Sequence, residues 1–336
     1  MKFALAIDLQ RFDPSLPMTR VLDEVSELVG MADEGGFESI WSAEHHAVEF
    51  TIGPNPFSTL LHYATVAKRA RLGTAVVVAP YWHPIRVAGE AGFVDLISKG
   101  RLELGFGRGA FQHEFDRMAG GIPQERGGEF MREMIPAVLK LWQGDYEHNG
   151  KLWQWPSATA APKPLQKPHP PLFQPFASSE NTVRFCAKEN VTPILPPMLP
   201  VYEEKLYSVY SEVSGKPRGQ GVGVLRDVII CDTDEEAKAL WRDSGQFSGR
   251  AWFEPFGFRR GMMDPKTGAS PTSDEVIELG YAYVGTVDTV LRAMETQQKR
   301  QPVDWVFCYT YNSLVPHPVL MKSIEAFWTK VMPRFR

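Results

Sequence analysis

The chain has 336 residues, 43% of them hydrophobic and 23% charged, with a net charge of −4. That composition supports a sizeable core and leaves no basic footprint for nucleic acid. Three scattered cysteines without a C-x-x-C pair argue against a disulfide framework and suit a reducing cytosol.

The opening MKFALAIDL is broken by Asp8 before it reaches the length of a signal-peptide core, and no later stretch approaches a membrane span. A cytoplasmic protein without membrane contact is therefore expected. KFALAID reads as a first strand. MTRVLDEVSELVGMADEGG carries helical spacing at Val21, Val25, Leu28 and Met31 and ends in paired glycines, as a helix C-terminus does. FESIWSA is a second strand, and NPFSTLLHYATVAKRA is a helix with Pro56 near its start. RLGTAVVVAP is a β-branched third strand, HPIRVAGEAGFVDLISKG a helix and RLELGFG a fourth strand. The repeat is roughly 30 residues, the size of a βα unit. In the second half PPLFQPFA, VTPILPPM, GVGVLRDVIICD and VDWVFCYTY each precede an amphipathic segment. Apolar strands alternating with amphipathic helices imply a parallel sheet covered on its outer face. Eight such units predict an α/β fold of the (β/α)8 TIM-barrel type, in one domain.

Two excursions interrupt the rhythm. Residues 111–171 hold a predicted helix over 126–142, a hairpin signalled by Asn149-Gly150, and a proline-rich connection. Residues 245–283 combine glycine, proline and aromatics with little periodicity, the texture of a mobile lid.

Within RLELGFGRGA, Gly105, Gly107 and Ala110 fit G-x-G-x-x-[GA], the pattern of a dinucleotide-binding turn. Such a turn belongs after a first strand and opens directly into a helix; here it follows a fourth strand, and Glu125 has the offset of a ribose-binding acid but not its setting. The other reading is a phosphate site on the C-terminal rim of a barrel. Gly107 and Gly109 would let amides approach an anion, and Arg108 offers a fork of donors. An arginine salt-bridged in a tight turn would look the same.

AEHH closes the second strand. Adjacent histidines on extended chain face opposite ways, so at most one reaches the barrel mouth, as a base or as a buried partner of Glu44. The absence of H-x-H or H-x-x-x-H spacing disfavours a metal-dependent barrel hydrolase. SSENT opens the helix after the fifth strand, where hydroxyls and free amides form either an anion site or an ordinary N-cap.

Taken together, KFALAI, GFESIWSAEHH, GTAVVVAPYWHPIR, ISKGRLELGFGRG, ASSENT, VGT and VMP resemble, in order, the bacterial luciferase family of flavin-dependent monooxygenases. The resemblance implies an FMN site in a barrel, supplied with reduced flavin by a separate reductase. O2 would add at the flavin C4a carbon, and one oxygen atom would enter a small organic substrate such as an aldehyde or ketone. By position it assigns the flavin phosphate to Arg108, Ser178, Ser179 and Thr182, a cis peptide beneath the flavin ring to Ala75-Val76, and the catalytic histidine to His45. It also implies a homodimer. Gly107 stands where luciferase has a reactive cysteine, and Ser178-Ser179 where it has Glu-Ser. Phe111, Trp153, Trp155, Trp252, Phe253 and Phe256 are candidates to line the substrate pocket. A deazaflavin-dependent reductase of the same barrel, or a flavin-binding protein without turnover, are the alternatives.

Overall fold

The computed structural model describes residues 1–244 and 261–336. Strands β1 (Lys2–Ile7), β2 (Ser39–Ser42), β3 (Arg71–Thr74), β5 (Leu102–Gly107), β8 (Leu172–Pro175), β9 (Thr192–Leu195), β10 (Gly223–Ile230) and β12 (Trp305–Tyr309) pair in parallel in that order. The ring closes where Lys2 lies opposite Trp305. This is the expected (β/α)8 barrel. Helices α1 (Met18–Glu34), α2 (Pro56–Val66), α3 (Pro84–Ile97), α5 (Gly127–Gln143), α6 (Glu180–Lys188), α7 (Pro200–Ser214), α8 (Asp234–Asp243) and α10 (Val287–Arg300) lie between the strands in sequence, and α11 (His317–Ala326) follows the last of them. No helix among the described residues is long and apolar enough to cross a membrane.

Strand alternation sorts the side chains into two layers. Leu5, Ile40, Leu72 and Leu104 pack outward in the large core with the helices. Ala4, Ala6, Trp41, Phe173, Ile194, Trp305 and Phe307 fill the barrel interior. Trp41 is the centre of that filling, with ring centroids 4.8 Å from Phe173 and 4.9 Å from Phe307. Two neighbouring glycines make room for it: a Cβ on Gly73 would stand 2.1 Å from the indole and one on Gly105 3.0 Å. Gly105, the first glycine of the G-x-G pattern, thus serves core packing.

Four local features differ from the sequence-based expectation. The third strand is interrupted at Ala75-Val76 and resumes as β4 (Val77–Val78). Its register on β5 slips there by one residue, from Leu72↔Leu102 to Val77↔Phe106. In the hairpin of β6 (Tyr146–Asn149) and β7 (Gln154–Ala158), Asn149 pairs with Gln154, so the loop has four residues rather than the two of an Asn-Gly turn. Glu133 of α5 explains it: its carboxylate accepts from the amides of Leu152 and Trp153, at 3.1 Å each, and bonds His148 at 3.0 Å. Residues 261–283 contain α9 (Ser273–Glu278) and lead into β11 (Ala282–Gly285), which pairs with the outer half of β10. Met262, Val276, Ile277, Tyr281 and Ala282 are buried there against Trp241, whereas residues 265–270 are exposed; residues 245–260 of the proposed lid, with Trp252, Phe253 and Phe256, lie outside the described residues. The short helix α4 (Gln112–Met118), before α5, was not anticipated either.

Candidate active site

A cavity of about 590 Å³ opens at the C-terminal ends of β1, β2, β4, β5 and β8, the end at which TIM barrels carry their chemistry. Its volume falls within the roughly 300–1,000 Å³ usual for cofactor and small-molecule sites. The structure brings His45, Ala75, Val76, Gly107, Arg108, Ser178, Ser179 and Thr182 to the wall of this one cavity. Phe111, Trp153 and Trp155 are not part of that wall. Phe111 packs on His45 with centroids 5.7 Å apart, Trp155 stacks on His148 at 4.3 Å and Trp153 meets Phe130 at 5.4 Å.

The rim near β5 and β8 is rich in donors. Ser179 caps α6: its Oγ accepts from the Thr182 amide at 3.2 Å and lies 2.9 Å from Thr182 Oγ1. Capping leaves both hydroxyls at the cavity, beside the positive end of the helix dipole. Half-buried Arg108 lines the same cavity; burial pulls its pKa down and Glu125 opposes that shift, and a guanidinium remains charged regardless. Gly109 takes a left-handed conformation with φ +79°, which turns the chain after Arg108.

The Ala75-Val76 peptide is cis. Val76 lies against Gly107 so closely that a Cβ there would stand 2.2 Å from Val76 Cγ2. The β-branched side chain cannot swing aside cheaply, so Val76 itself excludes a cysteine from position 107. Gly107→Ala is therefore expected to destabilise the fold by about 1–3 kcal/mol, as overpacking does. Denaturant unfolding checks this, with Val76→Ala in the same chain restoring most of the loss; additive losses would show that the contact is not the cause.

The two histidines, in the loop that follows β2, part company. The His46 ring bonds Glu44 at 2.6 Å, and Glu44 also accepts from Trp82 Nε1 and the Val78 amide. His45 lines the cavity, with Nδ1 3.3 Å from Glu114 Oε1 and Nε2 4.0 Å from Asp8 Oδ2. Glu114 is fixed by the His46 amide at 2.6 Å and Asp8 by Thr51 at 2.8 Å. Burial pulls the His45 pKa down, but the Glu114 hydrogen bond and the charges of Asp8, Glu114 and Glu44 outweigh it, so it lies above the ordinary histidine value. Burial pushes the Asp8 carboxyl up, partly against the His45 charge. Asp8 and Glu114 were missed by sequence reasoning; the only signal was a carboxylate ending the first apolar run and another in FQHEF.

This geometry suits His45 to the role of a base, with Nδ1 facing Glu114 and Nε2 facing Asp8. A base works deprotonated, so activity should rise with pH through a His45 pKa held above the usual range. Glu114→Gln removes the largest raising influence and should move that acidic limb to lower pH in the profile of kcat/KM. An unmoved limb would dissociate Glu114 from His45 ionisation.

A family model described as luciferase-like monooxygenase matches residues 1–303. The oxygenase component of the flavin-dependent trigonelline monooxygenase of Acinetobacter baylyi is 40% identical over 261 residues, covering 76% of this chain and 72% of that protein. Among solved structures, monooxygenase RslO1 from Streptomyces bottropensis superposes with a TM-score of 0.87 at 22% identity, covering 100% of both chains. The oxygenating constituent of 3,6-diketocamphane monooxygenase from Pseudomonas putida, a type II Baeyer-Villiger enzyme in complex with FMN, gives 0.83 at 19% identity, covering 99% of this chain and 98% of that one. At these identities the two structures speak to the fold alone.

Proposed function

The chain belongs to the luciferase-like monooxygenase family and is a flavin-dependent monooxygenase, and from that premise we propose that it is the oxygenase component of a two-component system, using reduced FMN delivered by a separate reductase. The observation that carries the reading is the division of one cavity between a donor-rich rim and a histidine: Arg108, Ser178, Ser179 and Thr182 hang from β5, β8 and α6, and His45 follows β2. The donor set fits a phosphate monoester. The same wall also carries the apolar Ala6, Ala75, Val76, Ile194, Leu225 and Phe307, which suits a flat aromatic ring.

Reduced FMN, when bound, supplies the two electrons that activate O2, so that one oxygen atom enters the substrate and the other leaves as water. Arg108 and the α6 hydroxyls hold the phosphate and fix the depth of the cofactor. Glu114 holds the Nδ1 proton of His45, and Nε2 takes a proton from the substrate side and returns it. The buried apolar wall keeps water from the reacting face.

For substrate we propose a small polar compound of the kind the 40%-identical relative acts on, trigonelline, because Asp8, Glu114 and His45 give the reacting end of the cavity polar partners. Aldehydes and ketones are the second class, favoured by Leu225, Phe307 and Met198 on the wall. The test is turnover with FMN, a flavin reductase, NADH and 18O2 against panels of both classes. The expected product carries one labelled oxygen atom. Turnover with a reduced deazaflavin and no oxygen uptake, or no labelled product from any substrate, would overturn the reading.

A further inference from the structure

We propose that Arg132 is a second cofactor-binding cation, contributed by α5, which joins Arg108 in selecting the phosphorylated flavin over the unphosphorylated one. This rests on the phosphate reading of the rim. Arg132 lines the cavity together with Gly128 of the same helix and Arg108. The first turn of α5 is pressed onto the Arg108 loop: a Cβ on Gly127 would stand 1.8 Å from the Arg108 carbonyl oxygen. At the next residue, a Cβ on Gly128 would be 3.0 Å from Nη1 of Arg132, which lies one turn further along the helix. The guanidinium therefore lies back over the bare face of Gly128, toward the helix start and Arg108, as side chains on a helix lean.

The helix also leaves this charge without a carboxylate of its own. Glu129, three residues earlier, is engaged by Lys151 at 3.1 Å and Arg126 at 3.4 Å. Glu133 is consumed by the hairpin amides and His148. The four-residue neighbours are Gly128 and Pro136, neither of which carries a charge. Glu125, an acid on the same cavity wall, has its field acting on Arg108. A phosphate dianion needs more positive charge than Arg108 supplies against Glu125, and a second arginine on the adjoining helix turn provides it.

The experiment titrates the purified protein with oxidised FMN and with riboflavin, following flavin fluorescence, for wild type, Arg132→Ala and Arg132→Lys. The expected result for Arg132→Ala is an FMN dissociation constant about five- to tenfold higher, with riboflavin affinity unchanged. Lysine, which keeps the charge but not the fork, restores part of the loss. An unchanged FMN-to-riboflavin ratio in Arg132→Ala, or equal weakening of both ligands, overturns the assignment. If wild type itself binds the two equally, the phosphate reading of the whole rim fails, and the experiment separates that case from failure of Arg132 alone.

Discussion

Replacing His45 with alanine lowers oxygenation about 100-fold or more, while FMN binds nearly as tightly as to the wild type. General acid–base catalysis is worth on the order of 10²–10⁴, and the imidazole follows β2 while the phosphate rim hangs from β5, β8 and α6, so the two properties separate. The size of the loss follows from how completely His45 is organised. Glu114 and Asp8 flank its two ring nitrogens, both carboxylates are buried, and each is itself held by a further hydrogen bond. Among the described residues of the wall His45 is the one imidazole, and His46 is committed to Glu44. The measurement is single-turnover oxygenation with pre-reduced FMN, which removes the reductase from the rate. Unchanged turnover in His45→Ala would take the residue out of the mechanism.

The second large effect is at the other end of the cavity. Arg108→Ala raises the FMN dissociation constant roughly ten- to a hundredfold, corresponding to the ~1.5–3 kcal/mol of a hydrogen bond to a charged group. An exposed ion pair would be worth far less. Arg108 is different because burial has already removed part of its hydration, as the downward pull on its pKa records. A phosphate arriving there finds a partly desolvated guanidinium in the same cavity as the Ser179–Thr182 hydroxyl pair. Riboflavin affinity should barely move. Equal weakening of FMN and riboflavin, measured by fluorescence titration, would mean that Arg108 supports the loop rather than the phosphate.

The βα rhythm and the rim residues were legible because both are local. β-branched runs such as TAVVV and capping patterns such as SSENT carry their structure within a few residues. What escaped was set by distant partners. Glu114 reaches His45 across 69 residues of chain, and no spacing rule joins them. The hairpin loop has four residues because Glu133 gathers its amides from another helix. The strand Ala282–Gly285 is short and embedded among turn residues, and only its pairing with β10 makes it a strand. Arg132 looked like any helix-surface arginine; its meaning depends on Gly128 beneath it and on carboxylates already engaged elsewhere. The G-x-G pattern is the converse lesson: Gly105 and Gly107 are fixed by Trp41, Thr74 and Val76, bulky or backbone neighbours that a motif does not include.

The proposed function requires one orientation of the flavin: phosphate on the rim of β5, β8 and α6, and ring along Ala75-Val76 toward His45. Crystallising the protein with FMN tests it directly. Phosphate oxygens are expected within hydrogen-bond distance of Arg108, Ser178, Ser179 and Thr182, and a ring edge beside the His45 imidazole. A flavin bound the other way round, or in a different part of the molecule, would contradict it.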